Sequence, residues 1–255
     1  MSGDPASSTP ISAHGSIAFV GGLAGRRDRD AGTGEGSVPV EVGTPATSRL
    51  TEGAIRLLDI LGAIALLLLL SPFLLLVAIV VRLDSPGPAI FRQRRLGKDL
   101  APFAVAKFRT MRTGAGTEAH RSHVERMIAG SEDRGTRPMQ KLEEDARVTR
   151  SGTFLRRTSI DELPQLWNVL RGEMSLVGPR PPIQYEVDSY PPEAFRRFAV
   201  RPGMTGLWQV SGRSLLTFQE MIERDTEYVE TRSLGQNLKI LLLTLPTVIH
   251  GKGAA

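Results

Sequence analysis

The stretch Ile60–Val81, ILGAIALLLLLSPFLLLVAIVV, runs 22 residues without a charged side chain. At 1.5 Å per residue a straight helix of that length reaches about 33 Å, enough to cross the hydrocarbon core of a bilayer. About fifty largely polar residues precede it and no small-residue cleavage pattern follows, so it is not a removable signal peptide. A chain with this segment is placed at a membrane. Ser71 and Pro72 stand in its middle. Pro72 removes the hydrogen bond to the Leu68 carbonyl and its ring crowds that carbonyl, so a kink is expected, and each arm of about ten residues reaches only about half the bilayer. Two topologies stay open: a kinked span, which the frequency of proline in transmembrane helices favours, and a hairpin that enters and leaves on one face. Arg49 and Arg56 lie before the run, and Arg82, Arg92, Arg94, Arg95 and Lys98 follow it. Positive charge of this kind marks the cytoplasmic side, and the heavier C-terminal flank puts the bulk of the chain there.

With 255 residues, 41% of them hydrophobic, the chain can build one medium domain beside a tail or anchor. It has no cysteine, which excludes disulfides and thiolate metal sites. The net charge of +5 points to acidic partners, namely nucleic acid, anionic lipid head groups or phosphorylated substrates, without choosing among them. Residues 1–48 read as a disordered tail rich in Gly, Ser, Thr, Pro and Ala, and residues 49–82 as the membrane segment. In the remainder, 83–255, turn signals at Pro86–Pro88 and Gly97 frame a small hairpin, and 113–146 reads as a charged, helix-bearing loop. A helix near Pro192–Phe198 and a structured loop or strand over 201–213 follow. The last apolar stretch, LGQNLKILLLTLPTVIH, reads as a helix interrupted by Pro246 and lying in the headgroup region.

The most informative short stretch is SIDELPQL, Ser159–Leu166. Taken locally, Ser159 and Glu162 form a capping box at a helix start, and Leu163, Leu166, Trp167 and Leu170 make one apolar face. Pro164 is tolerated in the first turn. The surroundings argue for more. Between 147 and 180, Arg147, Arg150, Arg156, Arg157, Arg171 and Arg180 face only Asp161, Glu162 and Glu173. Arginine donates paired hydrogen bonds to phosphate, and glycine lets backbone N–H groups approach an anion. Taken singly, Arg156, Arg180 in GPRPP and Arg201 in RPG read as ordinary loop or helix charges; together on a membrane-bound chain they point to a diphosphate ligand near lipid.

Neighbouring helical residues point about 100° apart, so Asp161 and Glu162 neither share a proton nor flank a bond as a glycosidase pair does. The arrangement permits one carboxylate as nucleophile and the other as a holder of Mg2+, a cation bound by one or two carboxylates plus substrate phosphates. His120 and His123 stand at i, i+3 in AHRSHVER and read as a solvated helical face. Trp208 and Tyr228 read as core.

KFRTMR, RRTSIDELPQLWNVLRGEMSLVGPRPP, VRPGMTGLWQVSGR and ERDTEYV follow the Ser-Pro apolar run in this order. Over about Arg49–Val248 the chain resembles the bacterial sugar transferases, the monotopic polyprenyl-phosphate phosphoglycosyl transferases. The resemblance implies an α-rich α+β fold, in which a re-entrant, Ser-Pro-kinked membrane helix, amphipathic interfacial helices and a small β-hairpin surround a cytosolic catalytic core. It implies a minimal catalytic form, without the multi-span region of larger members, at the cytosolic face of the bacterial inner membrane. The implied reaction moves a sugar-1-phosphate from a UDP-sugar to undecaprenyl phosphate, releasing UMP and starting an exopolysaccharide or other envelope glycan. Asp161 would attack the phosphate bearing the sugar, Glu162 would help bind Mg2+, and Lys107, Arg156, Arg180, Arg201 and Arg213 would hold phosphates. Gln209, Asp225 and Tyr228 would support the site, and Ser71 and Pro72 would break the membrane helix. Downstream glycosyltransferases are implied partners.

Two other classes compete. A membrane-anchored scaffold or regulator of polysaccharide export needs the anchor and basic surface but not the acid pair. A tethered nucleic-acid binder would explain the charge alone, but neither a known module nor interleaved aromatic and basic residues support it.

Overall fold

The computed structural model describes residues 16–19, 39–42, 47–112, 147–212 and 215–249. The expected loop over 113–146, with His120 and His123, and Arg213 lie outside the described residues. Within the expected tail, Ser16–Phe19 (β1) pairs antiparallel with Pro39–Val42 (β2).

The apolar run is the centre of one long helix, α1, Arg49–Asp84. The Ser48 hydroxyl caps it, accepting from the Thr51 N–H at 3.2 Å. The helix continues through Pro72, and the Ser71 hydroxyl donates at 2.9 Å to the Leu68 carbonyl, which Pro72 deprives of its helical partner. Of the described helices, α1 is long and apolar enough to cross a membrane. Its buried positions fall in two groups: Ile55, Asp59 and Ala63, then Val77 and Val81. Leu68, Leu69, Leu75 and Leu76 between or beside them are exposed.

Both ends of α1 are tied to the same folded body. Near the start, Arg56 donates to the Val169 and Leu170 carbonyls at 2.6 and 2.8 Å. Asp59 Oδ1 accepts from the Ser175 hydroxyl and the Leu176 N–H at 2.9 and 2.8 Å, and Arg232 pairs with Glu52. At the far end, Asp84 accepts from the Ser151 N–H and hydroxyl at 2.9 and 2.6 Å, while Arg109 donates to the Ser85 and Pro86 carbonyls at 2.6 and 2.9 Å. Arg56 and the buried Arg95, two of the basic residues in the topological flanks, are therefore structural donors.

The expected hairpin is present. Ile90–Leu96 (β3) and Pro102–Phe108 (β4) pair antiparallel from Ile90↔Phe108 to Leu96↔Pro102, around a turn with Asp99 and Leu100 at φ 54 and 59°. Then come helix α2, Arg150–Thr158, a 3₁₀ turn over Ile160–Gln165, and α3, Leu166–Arg171. The expected apolar face is corrected here: the 3₁₀ turn shifts the helical phase, burying Leu166 and Val169 and leaving Trp167 57% exposed.

Beyond α3, Ser175–Val177 (β5) pairs in parallel with Gly203–Thr205 (β6). The loop between holds the one-turn helix α4, Gln184–Val187, and the 3₁₀ segment Pro192–Ala199, near the expected helix. The β5 and β6 backbones meet so closely that a Cβ on Gly203 would lie 2.0 Å from Gly178 N and one on Gly178 2.5 Å from the Arg201 carbonyl. Both GPRPP and RPG therefore begin or end at glycine for reasons of contact. The segment expected as loop or strand divides into β6 and the short helix α5, Leu207–Ser211.

Helix α6, Phe218–Thr231, starts in a capping box of Thr217 and Glu220. Helix α7, Leu234–Ile249, runs through Pro246 where an interruption was expected; in the turns around it the Thr244 and Thr247 hydroxyls donate to the Ile240 and Leu243 carbonyls at 2.8 and 2.6 Å. One core gathers Ala63, Leu166, Met174, Val177, Phe198, Tyr228 and Ile240. A second joins Val77 and Val81 of α1 to Phe108 and Leu155, with Ile160 packed on it. The turn bearing the two acids thus rests, through Ile160, against the second half of α1.

Candidate active site

Helix α2 ends at Ser159 in the left-handed conformation, φ 57°, with its N–H returning to the Arg156 carbonyl at 3.3 Å. Ser159 makes no side-chain cap to the following turn, so the expected capping box is not formed: the serine closes the helix before it, and the Glu162 carboxylate is engaged elsewhere. Lys107 Nζ on β4 lies 2.7 Å from Glu162 Oε1. Asn168 docks beside this pair. Its side chain reads the edge of β4 like a strand, accepting from the Ala106 N–H at 3.0 Å and donating to the Ala104 carbonyl at 2.8 Å, so the turn is held against the strand that carries Lys107.

Burial would raise the Glu162 pKa, but the Lys107 charge and hydrogen bond, with Arg180 and Arg95 behind them, outweigh it and hold the carboxyl at about 2. Asp161, one residue earlier in the same turn, is buried. Arg95 on β3 is also buried, donating to the Pro181 carbonyl and to Gln93 Oε1. Its desolvation and the like charge of Arg180 bring it down to about 10, against the pull of Glu186 and Glu162. Arg180 leans on Glu186 at 3.7 Å, and Glu186 is fixed through its other oxygen by the Ile183 N–H at 2.9 Å. Glu162, Lys107, Arg95, Arg180 and Glu186 thus form one interacting set of charges, with Asp161 next to Glu162 in the turn.

Beneath it lies Asp225, paired with Arg197 at 2.7 Å, and both are almost wholly buried. Burial pushes the Asp225 carboxyl up to about 6, with Arg197 and Arg180 pulling against it. Tyr228 is in a different neighbourhood. Its hydroxyl contacts the Val177 carbonyl and Asn237 Oδ1, both at 2.9 Å, and Arg232 donates to it at 3.3 Å, within the network that reaches Glu52 on α1. Arg201 donates to the Gly172 carbonyl at 2.9 Å, beside the carbonyls that Arg56 takes at the end of α3. Gln209 lies beside Gly206, where a Cβ would meet its Oε1 at 3.3 Å. Arg156 is half-buried on the last turn of α2, and its carbonyl accepts the Ser159 N–H.

Among the described residues no group of three or more His, Asp and Glu stands together for a metal. The adjacent Asp161 and Glu162 suit Mg2+, which accepts two carboxylates when substrate phosphates complete its shell. The Lys107 bond uses Oε1 of Glu162.

Four contributors escaped sequence reasoning: Arg95, Asn168, Glu186 and Arg197. Along IFRQRRL burial sets in only at Arg95 and Leu96, while Phe91 on the Arg95 face is exposed, so alternation does not single Arg95 out. Asn168 sits in what reads as a plain helix, and nothing local distinguishes it.

A profile of the family described as bacterial sugar transferase matches residues 50–251. The chain is 44% identical over 200 residues to the galactosyl transferase CpsE of Streptococcus agalactiae serotype III, covering 78% of this chain and 43% of that protein. It is 44% identical over 202 residues to the UDP-glucose:undecaprenyl-phosphate glucose-1-phosphate transferase of Caulobacter vibrioides, covering 76% of this chain and 69% of the relative. With the exopolysaccharide production protein ExoY of Rhizobium meliloti it shares 39% over 217 residues, 85% of this chain and 94% of that one. The chain therefore spans less than half of the streptococcal relative and nearly all of ExoY.

Proposed function

The chain belongs to the bacterial sugar transferase family, and on that premise we propose that it transfers a sugar-1-phosphate from a UDP-sugar to undecaprenyl phosphate as the first membrane step of an exopolysaccharide or related envelope glycan. The observation that carries this reading is the Asp161–Glu162 turn, docked on β4 through Lys107 and faced by Arg95 and Arg180, on a chain whose second core is shared with its membrane helix. The Caulobacter relative is named for this reaction with glucose, and ExoY for exopolysaccharide production.

An Asp161 carboxylate oxygen bonds to the phosphorus bearing the sugar while the bond from that phosphorus to the bridging oxygen breaks, and UMP departs. An oxygen of undecaprenyl phosphate then bonds to the same phosphorus, and the Asp161 carboxylate is released. Phosphoryl transfer depends on positioning and charge neutralisation, which Lys107, Arg180 and Arg95 supply around the diphosphate. Mg2+ bound by Asp161 or Glu162 together with the donor phosphates would add neutralising charge. Glu162, held ionised by Lys107, keeps its ligand oxygen free of a proton.

The re-entrant topology belongs to the same reading. From Arg56 to Asp84 a straight helix covers about 42 Å. Both residues bond to the one folded body, through Val169 and Leu170 at one end and Ser151 at the other, which supports a helix that dips into one leaflet and returns. The remaining basic residues of the flanks, Arg49, Arg82, Arg92, Arg94 and Lys98, favour the cytosolic face for that body. The exposed leucines of α7, Leu238, Leu242 and Leu245, suit the headgroup region.

The test is UMP release by full-length protein in nanodiscs with Mg2+, across a panel of UDP-sugars, with and without undecaprenyl phosphate, beside Asp161→Asn. Acceptor-dependent release with one sugar and a small acceptor-free burst, both absent in the variant, are expected. Unchanged release by Asp161→Asn would sink the covalent route, and a chain that releases no UMP but retains a role in glycan export would be a scaffold.

A further inference from the structure

Arg197 is bonded on several sides, to Tyr190, to Asp225 and to the backbone of the loop that carries Arg180. It extends from the 3₁₀ segment Pro192–Ala199 and is 3% exposed. One amino group donates to the Tyr190 hydroxyl at 2.9 Å; the other donates to the Arg180 carbonyl at 3.0 Å and lies 2.7 Å from Asp225 Oδ2. The guanidinium carbon lies 5.5 Å from the Tyr190 ring centroid. A charge this deeply buried is stable only because it is paired and bonded on several sides.

What the arrangement holds is a single backbone position. The Arg180 carbonyl is pinned by Arg197, the Arg180 guanidinium is steered by Glu186 at 3.7 Å, and the loop's base is locked where Gly178 meets Gly203. Arg180 therefore leaves the GPRPP loop in one direction, toward the set of charges around Glu162. Resting on the function proposed above, we infer that Arg197 is a positioning residue for the reaction: anchored by Asp225 and Tyr190, it fixes the Arg180 backbone so that the Arg180 guanidinium meets the donor diphosphate. Asp225 and Tyr190 act through Arg197 rather than on the substrate.

A residue that acts through another loses its effect when that other is removed. The test is a double-mutant cycle in nanodisc-held full-length protein: Arg197→Lys, Arg180→Ala and the pair, with kcat and KM for the donor and, separately, UDP binding by calorimetry. Lysine keeps the charge but cannot serve Tyr190, Asp225 and the carbonyl together. Arg197→Lys is expected to raise the donor KM and the UDP Kd about tenfold, with kcat within about twofold. In the Arg180→Ala background it is expected to change neither. The same factor in both backgrounds, or a fall in kcat at unchanged KM, would overturn the inference. Tyr190→Phe removes one anchor without removing the charge and runs through the same cycle, deciding the matter if Arg197→Lys does not fold. Absence of both turnover and UDP binding in the unsubstituted protein would overturn the proposed function and this inference with it, whereas normal turnover with additive effects would overturn the inference alone.

Discussion

Lys107 Nζ and Glu162 Oε1 stand 2.7 Å apart although 55 residues separate them in the chain. The pair joins the hairpin that follows the membrane helix to the turn that carries both acids. Two things bring them together: the antiparallel register that places Lys107 opposite Phe91, and the Asn168 side chain that docks on the β4 edge between Ala104 and Ala106. Electrostatics then completes the site, since an ionised Glu162 is maintained against burial by the cation it faces.

That dependence gives a pH signature. The Glu162 carboxyl is depressed from 4.5 to about 2 in the folded protein, so its stabilising contribution is present above about pH 4.5 and is lost as pH falls toward 2. In Lys107→Met the largest of the lowering influences is gone and burial acts in the opposite direction. The Glu162 acid limb, which lies below pH 4 in the unsubstituted protein, is expected to rise into the kcat/KM profile measured as UMP release between pH 4 and 8. An unshifted limb would show that Lys107 does not control Glu162.

Asn168 makes three side-chain hydrogen bonds, the third to Glu173 Oε2 at 2.7 Å. Asn168→Ala removes all of them and leaves backbone groups of β4 unpartnered. A loss of about 2–3 kcal/mol is expected in urea unfolding of the detergent-solubilised protein. Asn168→Asp is not expected to rescue it, because a carboxylate cannot donate to the Ala104 carbonyl and repels Glu173.

Much of this site was legible beforehand, and the particular residues explain where legibility ended. Asp161, Glu162 and Arg180 stand out because an acid pair among arginines is chemically conspicuous, whereas Lys107 comes only from the family resemblance; in the structure Lys107 pairs with Glu162. The turn's own geometry was misread: Ser159, Ile160 and Glu162 fit a capping box, but a serine can equally close the helix before it, and only the contact with β4 decides which. Arg201, a phosphate-ligand candidate through the family resemblance, donates its Nε to the Gly172 carbonyl. Tyr228, read locally as core and through the resemblance as site support, is buried in the core, and its hydroxyl joins β5 to α7. Arg197 had no local signal at all, because a buried arginine is recognised by its partners and those lie 7, 17 and 28 residues away along the chain.

The glycines of the two loops differ sharply from Gly53 of α1. A Cβ on Gly203 would meet only backbone, Gly178 N at 2.0 Å, the Thr205 carbonyl oxygen at 2.5 Å and Val177 C at 2.6 Å, and none of these can yield. Gly203→Ala is expected to cost more than about 3 kcal/mol and to abolish a cooperative thermal transition. At Gly53 in α1 a Cβ meets nothing within 4 Å, and Gly53→Ala is expected to stabilise by about 0.5–1 kcal/mol through reduced backbone entropy. Differential scanning fluorimetry of the two variants side by side separates contact from conformation.

The membrane helix offers the clearest decision. Leu50 and Leu83 near its two ends are 87% and 82% exposed, and the chain has no cysteine of its own, so Leu50→Cys and Leu83→Cys each introduce one addressable thiol. A spanning helix puts these positions on opposite faces of the bilayer. A re-entrant helix, tied to the folded body through Arg56 and Asp59 at one end and Asp84 at the other, keeps both on the cytosolic face. A membrane-impermeant maleimide is expected to label both variants in inverted inner-membrane vesicles and neither in intact spheroplasts. Labelling of one position from each side would establish a span, and the bonds at the two ends of α1 could not then both exist in the membrane.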